Sequence, residues 1–332
     1  MPDLPVALDA MGGDRAPAEI VAGARQAVAD LGIDVVLVGP DDGTLGDVGD
    51  LAIIPASEVI GMDDDPAKGV RTKKDSSLVR AAEAVRDGKA CAMVSAGNTG
   101  ATMASALLRM GRLPGVARPC IATPLPALGG SPTVLVDAGA NAECAPEWLV
   151  QFAEMGAAFF VERYGVGRPK VALLSIGEES SKGNNLVKET HARLAGSADA
   201  EAPFEFVGNV EGRDLLTGDV DVIVADGFTG NVALKTLEGA LGVFMQILGQ
   251  VFNASPETKA ASEVLLPELL ARAAPLDPEG TGGAMLLGVN GVCIISHGSS
   301  SARAIVNAVR VGHDLAVRDI AGKLAAAVRP PG

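Results

Sequence analysis

The sequence is poor in aromatic residues and in basic residues. Aromatic side chains make up 3% of the 332 residues, with one Trp and one Tyr. The stacking surfaces that bind single-stranded nucleic acids are therefore not expected. Lys and Arg total 27 whereas Asp and Glu total 41, so the formal net charge is −14. A general nucleic-acid binder needs a basic surface, and this balance argues against such a partner.

Recognisable metal-binding, disulfide and membrane-spanning patterns are also missing. The four cysteines include no CxxC pair, and the three histidines are far apart in the sequence. We expect buried free thiols, no metal ion and a cytoplasmic location. The first residues lack the basic start and the long apolar stretch of a secretory signal. Because no run of about 18 apolar residues without a charge occurs, no membrane span is expected.

Hydrophobic residues nonetheless make up 48% of the chain, which is typical of a folded protein with a large core. Short apolar runs predict strands at Pro5–Asp9, Asp34–Val38, Ala52–Pro55, Ala90–Ser95, Cys120–Leu125, Thr133–Asp137, Val171–Ile176, Phe204–Gly208, Val220–Ala225 and Val292–Ser296. Helices are predicted at Ala16–Leu31, Ser76–Asp87, Thr99–Met110, Pro146–Arg163, Asn184–Leu194, Gly230–Phe252, Pro256–Ala274 and Ser299–Leu324. Because strands and helices alternate, we predict a Rossmann-like, mostly parallel three-layer α/β/α sandwich. Residues 1–332 are expected to form a single catalytic domain.

Residues 230–282 depart from this alternation and predict a helical extension. Within the stretch 256–274, apolar residues recur with helical spacing and share one face. The leucines of that face are Leu265, Leu266, Leu269 and Leu270. Pro267 is expected to kink or restart the helix. A hairpin of this kind could pack on its own domain, on a second subunit or on a membrane surface.

Basic residues are concentrated in residues 68–118, which we call the basic stretch. It contains ten basic and three acidic side chains, a net charge of +7, whereas residues 1–67 have a net charge of −12. A local positive surface on an acidic protein favours docking of an anionic partner. A solvated face without a partner is the alternative. The candidate docking residues are Arg71, Lys73, Lys74, Arg109 and Arg112.

Six predicted strands end in turns rich in glycine and polar residues. These turns are DAMGGD (9–14), SAGNTGA (95–101), DAGAN (137–141), GEESSKGNN (177–185), DGFTGN (226–231) and SHGSS (296–300). Ligands of open α/β sheets bind beyond the carboxyl ends of strands. Glycine-rich turns that open a helix leave N–H groups free for an anion. One such turn is usually only a turn, but six predict a polar floor that holds an anion and polarises a carbonyl.

The motifs of several enzyme classes are missing from the sequence. It contains no GxSxG turn of an α/β-hydrolase serine. It also contains no GxxxxGK[ST] loop for nucleoside triphosphates and no GxGxxG turn for dinucleotides. The chemistry that remains is direct displacement, in which a bound oxyanion attacks a bound electrophile without a covalent enzyme intermediate.

The ordered motifs resemble those of one known family. Seven segments follow one another along the chain: DAMGGD, SAGNTGA, LVDAGAN, LLSIGEESSKGN, FVGNVEGRD, DGFTGNVALK and GGAMLLGVNGVCIISHGSSS. Together they resemble the bacterial phosphate acyltransferase family of phospholipid biosynthesis (the PlsX family). The resemblance extends from about residue 5 to about residue 320.

This resemblance implies a function and a fold. The family transfers a fatty acyl group reversibly from acyl carrier protein to inorganic phosphate, and a membrane acyltransferase then uses the acyl phosphate to acylate glycerol 3-phosphate. The implied fold is similar to that of the isocitrate/isopropylmalate dehydrogenases. A homodimer with peripheral membrane contact is implied, without a metal or organic cofactor. Acyl carrier protein is strongly acidic, so the basic stretch would dock it, and the four leucines would contact the membrane.

Site residues are predicted on the same basis. We expect Lys182, His297 and Asn98 to be catalytic, with Lys182 and His297 stabilising charge or transferring a proton. We expect phosphate or substrate binding by Asp9, Gly12, Gly13, Asn141, Asn184, Asp226, Asn231 and Lys235. Phosphate held near Gly12, Gly13, Asn98 and Lys182 would attack the thioester carbonyl.

Two other classes of function remain open from the sequence. An NAD-dependent oxidoreductase of the same fold would need a carboxylate cluster for a metal and an arginine set for a hydroxy acid, and neither can be assembled from these motifs. A non-catalytic lipid or carrier-protein adaptor would need no reaction centre. Phosphate-dependent release of thiol from acyl carrier protein distinguishes the three.

Overall fold

Eleven short strands form one sheet that runs through the structure. The computed structural model describes residues 4–127, 132–196, 202–273 and 277–328. The strands are β1 (Val6–Asp9), β2 (Val35–Gly39), β3 (Ala52–Pro55), β4 (Ala92–Ser95), β5 (Cys120–Leu125), β6 (Thr133–Val136), β7 (Lys170–Leu174), β8 (Glu205–Val210), β9 (Val222–Val224), β10 (Ala284–Leu287) and β11 (Val292–Ile295). Across the sheet they lie in the order β3-β2-β1-β4-β11-β10-β5-β6-β9-β7-β8.

Helices connect the strands and cover both faces of the sheet. They are α1 (Ala18–Leu31), α2 (Pro66–Thr72), α3 (Ser77–Arg86), α4 (Thr99–Arg109), α5 (Pro146–Tyr164), α6 (Asn185–Gly196), α7 (Gly227–Phe252), α8 (Pro256–Ala273), α9 (Ala302–Val317) and α10 (Ile320–Ala327). Several begin at a side chain that accepts a bond from a free backbone N–H. The Asp65 carboxylate accepts from the Lys68 N–H at 2.7 Å before α2, and the Asp226 carboxylate accepts from the Thr229 N–H at 2.8 Å before α7.

Alternate strand residues enter two apolar clusters, one on each face. In β1, Val6 and Leu8 join the cluster packed against α1, α5 and α9, whereas Ala7 joins the cluster packed against α3 and α4. All three residues are fully buried. A sheet that is apolar on both faces must be covered on both. The predicted three-layer α/β/α sandwich is therefore confirmed.

The sheet consists of two parallel parts that run in opposite directions. Strands β1, β2, β3, β4 and β11 are parallel to one another. Strand β10 is antiparallel to both of its neighbours, and β5 is antiparallel to β6. Strands β6, β9, β7 and β8 are again mutually parallel. Viewed along the strands, the carboxyl ends of β1, β4 and β11 therefore lie at one end of the sheet. Those of β6, β7 and β9 lie at the opposite end.

This reversal corrects the single polar floor expected from the sequence. The polar turns after β1, β4 and β11 form a first group, and those after β6, β7 and β9 form a second group. Lys182 belongs to the second group, whereas Gly12, Gly13 and Asn98 belong to the first. The direction of each part depends on pairing through β5 and β10, which no local sequence pattern encodes.

Several element boundaries also differ from those predicted. The sequence analysis misses α2, which is only seven residues long, and β10, which begins just after the predicted helical extension. The predicted last helix is divided because Asp319 has a left-handed backbone, with φ of 53°, and caps α10. Pro267 does not interrupt α8, which continues through it. Ala274, at the end of the predicted helix, lies outside the described residues.

Candidate active site

Asp137 organises the turn that follows β6. Its carboxylate is fully buried and accepts bonds from the backbone N–H groups of Ile121, Gly139, Ala140 and Asn141 at 2.8–3.1 Å. The Asn141 side-chain amide adds a fifth bond at 2.9 Å. Burial raises the pKa of Asp137, and these donors partly offset that rise. The predicted binding residue Asn141 also donates to the carbonyl oxygen of Pro119, so its amide serves to hold this turn in shape.

Helix α7 begins directly against the same turn. A Cβ on Gly230 would lie 2.0 Å from the Asp137 carbonyl oxygen, and one on Gly227 would lie 2.6 Å from the Asn141 carbonyl oxygen. Only glycine permits this close approach. The contact brings Asp226 and Asn231, both predicted binding residues, beside the turn after β6. The Asp226 carboxylate is used as the cap of α7 and accepts bonds from both Thr229 donors at 2.8 Å.

The turn after β7 carries the predicted catalytic lysine. Lys182 is exposed, and within the described part of the chain its ammonium group has neither a hydrogen bond nor an ion pair. Asn184 accepts a bond from the Val187 N–H at 3.0 Å and thereby caps the first turn of α6. Lys235 differs from Lys182 because its ammonium group lies 2.8 Å from the Glu238 carboxylate. Lys182 therefore gives the second group an unpaired cation close to the N-terminus of α6.

A cavity opens between the turns after β7 and β9. Its volume is about 270 Å³. Buried leucine and valine side chains form its inner wall, and Ser175, Asn184, Asp226 and Thr229 lie at its polar side. Sequence reasoning misses Ser175, Thr229 and the organising role of Asp137. The only sequence signal for them is that each lies at a strand or helix end.

The first group is held together by the Asp9 carboxylate. Asp9 is 2% exposed, and burial raises its pKa. It accepts a bond from the Ser95 hydroxyl at 2.7 Å and from the Met11 N–H at 3.3 Å. A Cβ on Gly12 would lie 2.4 Å from this carboxylate and 2.8 Å from the Gly97 nitrogen. The glycines therefore let the turns after β1 and β4 pack closely, and the protein's own carboxylate faces their N–H groups.

Asn98 has both ends of its side-chain amide engaged. Its oxygen accepts from the Ala101 N–H at 3.0 Å and caps α4. Its nitrogen donates to the carbonyl oxygens of Met62 at 2.9 Å and Asp64 at 3.2 Å. The side chain predicted to be catalytic therefore ties the loop before α2 to the end of β4.

His297 lies exposed in the turn after β11. Its Nδ1 atom is 2.8 Å from the Ser299 hydroxyl and 3.3 Å from the Ser299 N–H. A backbone N–H can only donate, so Nδ1 accepts and the neutral ring carries its proton on Nε2. Gly13 lies next to this turn, because its Cβ would be 3.1 Å from the Gly298 carbonyl oxygen. Neutral His297 therefore presents a donor toward solvent.

The predicted docking residues differ in whether their charged groups are already paired within the protein. Lys73 pairs with Asp64, Arg109 lies 3.7 Å from the Glu83 carboxylate, and Arg112 donates to the Ala117 carbonyl oxygen. Arg71 and Lys74 are exposed, and no partner engages either guanidinium or ammonium group among the described residues. Of the five predicted docking residues, Arg71 on α2 and Lys74 just beyond its end are therefore the two without a partner among the described residues.

Helices α7 and α8 expose much apolar surface. On α7, Val243, Phe244 and Met245 are all more than half exposed. On α8, Leu265 and Leu270 are 56% and 58% exposed, whereas Leu266 and Leu269 are half-buried. Among the described helices, α7 is long and apolar enough to cross a membrane, with a mean hydropathy of 1.3 over its most apolar window. That criterion considers length and composition alone.

Comparison with known proteins identifies the family. The chain matches the family model described as fatty acid synthesis protein over residues 4–323. It is 48% identical over 314 residues to the phosphate acyltransferase of Heliobacterium modesticaldum, covering 92% of each chain. It is also 48% identical to the phosphate acyltransferase of Elusimicrobium minutum, covering 93% of this chain and 92% of the relative. The chain belongs to this family. The resemblance drawn from the ordered motifs is confirmed.

Solved structures of other proteins have a fold similar to that of this member of the fatty acid synthesis protein family. A phosphotransacetylase from Streptococcus pyogenes superposes with a TM-score of 0.62 at 18% identity, covering 95% of this chain and 94% of the other. A 4-hydroxythreonine-4-phosphate dehydrogenase from Klebsiella pneumoniae gives a TM-score of 0.51 at 13% identity, covering 95% and 100%. At these identities the likeness concerns the fold alone. It confirms the predicted dehydrogenase-like architecture.

Proposed function

We propose that this chain transfers an acyl group reversibly between acyl carrier protein and inorganic phosphate, forming acyl phosphate for phospholipid biosynthesis. The observation that carries the proposal is the unpaired, exposed Lys182 ammonium group, in a chain whose relatives are named phosphate acyltransferases. An unpaired cation beside a capped helix start suits a small, doubly charged oxyanion. An acyltransferase needs no dinucleotide, and we favour it over an oxidoreductase of the same fold.

The reaction we propose is a single displacement. A phosphate oxygen, held by Lys182 and by donors near Asn184 and Asn231, attacks the thioester carbonyl carbon. The new C–O bond forms as the C–S bond breaks, and the sulfur leaves with that electron pair and takes up the proton that hydrogen phosphate loses. Negative charge develops on the carbonyl oxygen and needs a donor within hydrogen-bond distance. His297 follows β11, at the other end of the sheet from Lys182, so we do not assign it to this step.

We propose supporting roles for the other predicted residues. Asp9 and Gly12 shape the first group rather than contact phosphate, because the carboxylate already faces the local N–H groups. Asn98 positions the loop before α2. Gly13 and Asp226 are kept as candidates for substrate contact, whereas Lys235 is not, because its ammonium group pairs with Glu238.

The decisive experiment measures thiol release from acyl carrier protein. The purified chain is mixed with palmitoyl-acyl carrier protein, with and without inorganic phosphate, and free carrier thiol and acyl phosphate are quantified. We expect release only with phosphate, and acyl phosphate in equal amount. Thiol release that does not depend on phosphate would indicate a thioesterase. Binding without any release would indicate an adaptor.

We propose that α2 docks the acidic carrier protein. Arg71 on α2 and Lys74 just beyond its end are exposed and unpaired among the described residues, and Lys68 is exposed on α2. Opposite charges on two partners raise the rate of encounter and fix orientation. Because Asn98 bonds to the loop before α2, the docking helix is attached to the first group of the site.

We also propose a homodimer that touches the membrane from the cytoplasm. The apolar surface of α7 exceeds what a solvated helix normally exposes, and a second copy of the same helix would cover it. The exposed leucines of α8 would then reach the lipid surface. This position would deliver acyl phosphate to a membrane glycerol-3-phosphate acyltransferase.

A further inference from the structure

The cavity between the turns after β7 and β9 has two chemically different sides. Leu149, Leu173 and Val224 form its inner wall and are at most 1% exposed. Polar groups of the turns form the opposite side. An apolar interior with a few polar groups at one side is the usual design of a site for an amphipathic small molecule. The volume of about 270 Å³ lies just below the range for such sites, about 300–1,000 Å³, which suits part of a chain better than a whole ligand.

One polar atom at this cavity lacks a partner. The Ser175 hydroxyl oxygen is buried, and among the described residues it has no hydrogen-bond partner. A buried hydroxyl without a bond costs about 1–3 kcal/mol, and this oxygen is covered by the turn at Gly183. Ser175 follows β7 directly, so it marks the point where the apolar wall gives way to the polar turn.

The cavity is next to the proposed phosphate-binding lysine. Lys182 and Gly183 are consecutive, and Gly183 lines the cavity. Gly183 has φ of +92°, and a Cβ there would lie 2.8 Å from Val187. The loop carrying Lys182 therefore folds directly over the cavity wall at Val187.

We propose that this cavity binds the alkyl chain of the acyl substrate close to its thioester end. This assignment rests on the proposed function, since it takes the second group as the place of reaction. The apolar wall removes methylene groups from water, while the polar turns at the opposite side accompany the thioester end. Val187 at the edge of the wall then determines how much chain the cavity accepts.

The test narrows the cavity in steps at Val187. Val187→Leu and Val187→Phe are compared with Val207→Phe, which makes the same substitution at a 40%-exposed site on β8 that does not line the cavity. The ratio of kcat/KM for palmitoyl- and butyryl-acyl carrier protein is measured for each. We expect that ratio to fall by about 10-fold in Val187→Phe. A smaller fall is expected in Val187→Leu, and no change in Val207→Phe.

Other outcomes overturn the proposal. An unchanged ratio in both Val187 variants, or equal losses with both substrates, would show that the cavity does not hold the chain. Binding of the fluorescent fatty acid cis-parinaric acid is measured on the same proteins, because it requires no turnover. Weaker binding in Val187→Phe but not in Val207→Phe supports the cavity even if phosphate-dependent release is absent, and equal binding rejects it. Absence of release from the unaltered chain would reject only the proposed function.

Discussion

Lys182 and Lys235 are both exposed lysines near polar turns of the second group, and they differ in their partners. Lys235 forms an ion pair with Glu238, whereas Lys182 has no partner within the described residues. We expect Lys182→Ala to lower kcat by on the order of 10²–10³, the usual effect of removing one charge-stabilising donor. Lys235→Ala is the matched control and should change kcat little. Steady-state thiol release measures both, and near-normal turnover in Lys182→Ala would remove it from the mechanism.

Cys144 is the thiol closest to the second group, and it is not poised to react. Its sulfur lies 3.5 Å from the Asn141 carbonyl oxygen, and burial raises its pKa to about 11. The neutral thiol is therefore the dominant form at pH 7, and a thiolate forms only as the pH approaches 11. We expect Cys144→Ser to retain activity, and iodoacetamide to modify the residue faster as pH rises. Isolation of an acyl-Cys144 species by mass spectrometry would instead establish a two-step mechanism.

The sequence predicts which polar residues lie at the candidate site better than it predicts what each side chain does there. Asn98, Asn141 and Asp9 all occur in turns that the sequence marks as polar. In the structure their polar atoms are bonded to distant backbone groups or to one another's turns. These bonds join residues far apart in the chain, so the sequence does not reveal which polar atoms remain free for substrate.

At the scale of elements, α2 and Lys74 just after it form the surface that we propose docks the carrier protein. Charge reversal in the double variant R71E/K74E should raise KM for acyl carrier protein and flatten its salt dependence. The reason is that attraction between exposed charges is screened over about 8 Å at physiological ionic strength. Turnover of a short acyl-pantetheine thioester, where it is a substrate, should be unaffected. Lys89→Glu reverses an exposed charge of the same stretch beyond the other end of β4 and serves as the control.

A loss that is equal for the carrier-linked and pantetheine substrates would contradict docking at α2. It would place Arg71 and Lys74 in the catalytic site or in the stability of the fold. Circular dichroism of each variant separates these two explanations.

Helix α8 is the element expected to meet lipid. Leu265 and Leu270 are more than half exposed, and burying one leucine contributes about 1.5–3 kcal/mol. We expect L265E/L270E to move the protein from vesicle-bound to free in co-sedimentation, with thiol release in solution preserved. Because α8 carries Glu257, Glu263 and Glu268 beside these leucines, binding should depend little on salt or on anionic lipid. Leu108→Glu, at a 54%-exposed leucine on α4, is the control.

Unchanged co-sedimentation of this variant would reject the membrane role. Conversion to inactive monomers, measured by analytical ultracentrifugation, would show that the face belongs to the subunit interface.

Most helices and strands can be predicted from the sequence, because apolar runs and capping residues lie within the same short stretch of chain as the element they indicate. The predicted strands all find counterparts, and the helical extension is present. The sequence analysis misses β10 because the strand is only four residues long and lies directly between glycine turns. The opposite direction of the second parallel part is missed for a different reason, since it arises from pairing between strands distant in sequence.

At the scale of the whole molecule, we propose that the chain unfolds as one unit. Strand β11 lies between β4 and β10, so the first part of the sheet contains residues from both ends of the chain. Helix α9 likewise packs against α1. We expect a single thermal transition in which the van't Hoff and calorimetric enthalpies agree. Two separated transitions would show that the two parallel parts are independent domains.

The position of β11 has a consequence for the order of synthesis. Ribosomes deliver the amino-terminal residues first, and early domains usually fold before later ones emerge. Here β4 pairs with β1 on one side, but its other neighbour lies about two hundred residues downstream. Until residues 292–295 appear, the nascent chain carries an open, apolar strand edge of the kind that associates with other chains. The last quarter of the polypeptide therefore closes the sheet that the first quarter begins. It is synthesised after the residues of the second group.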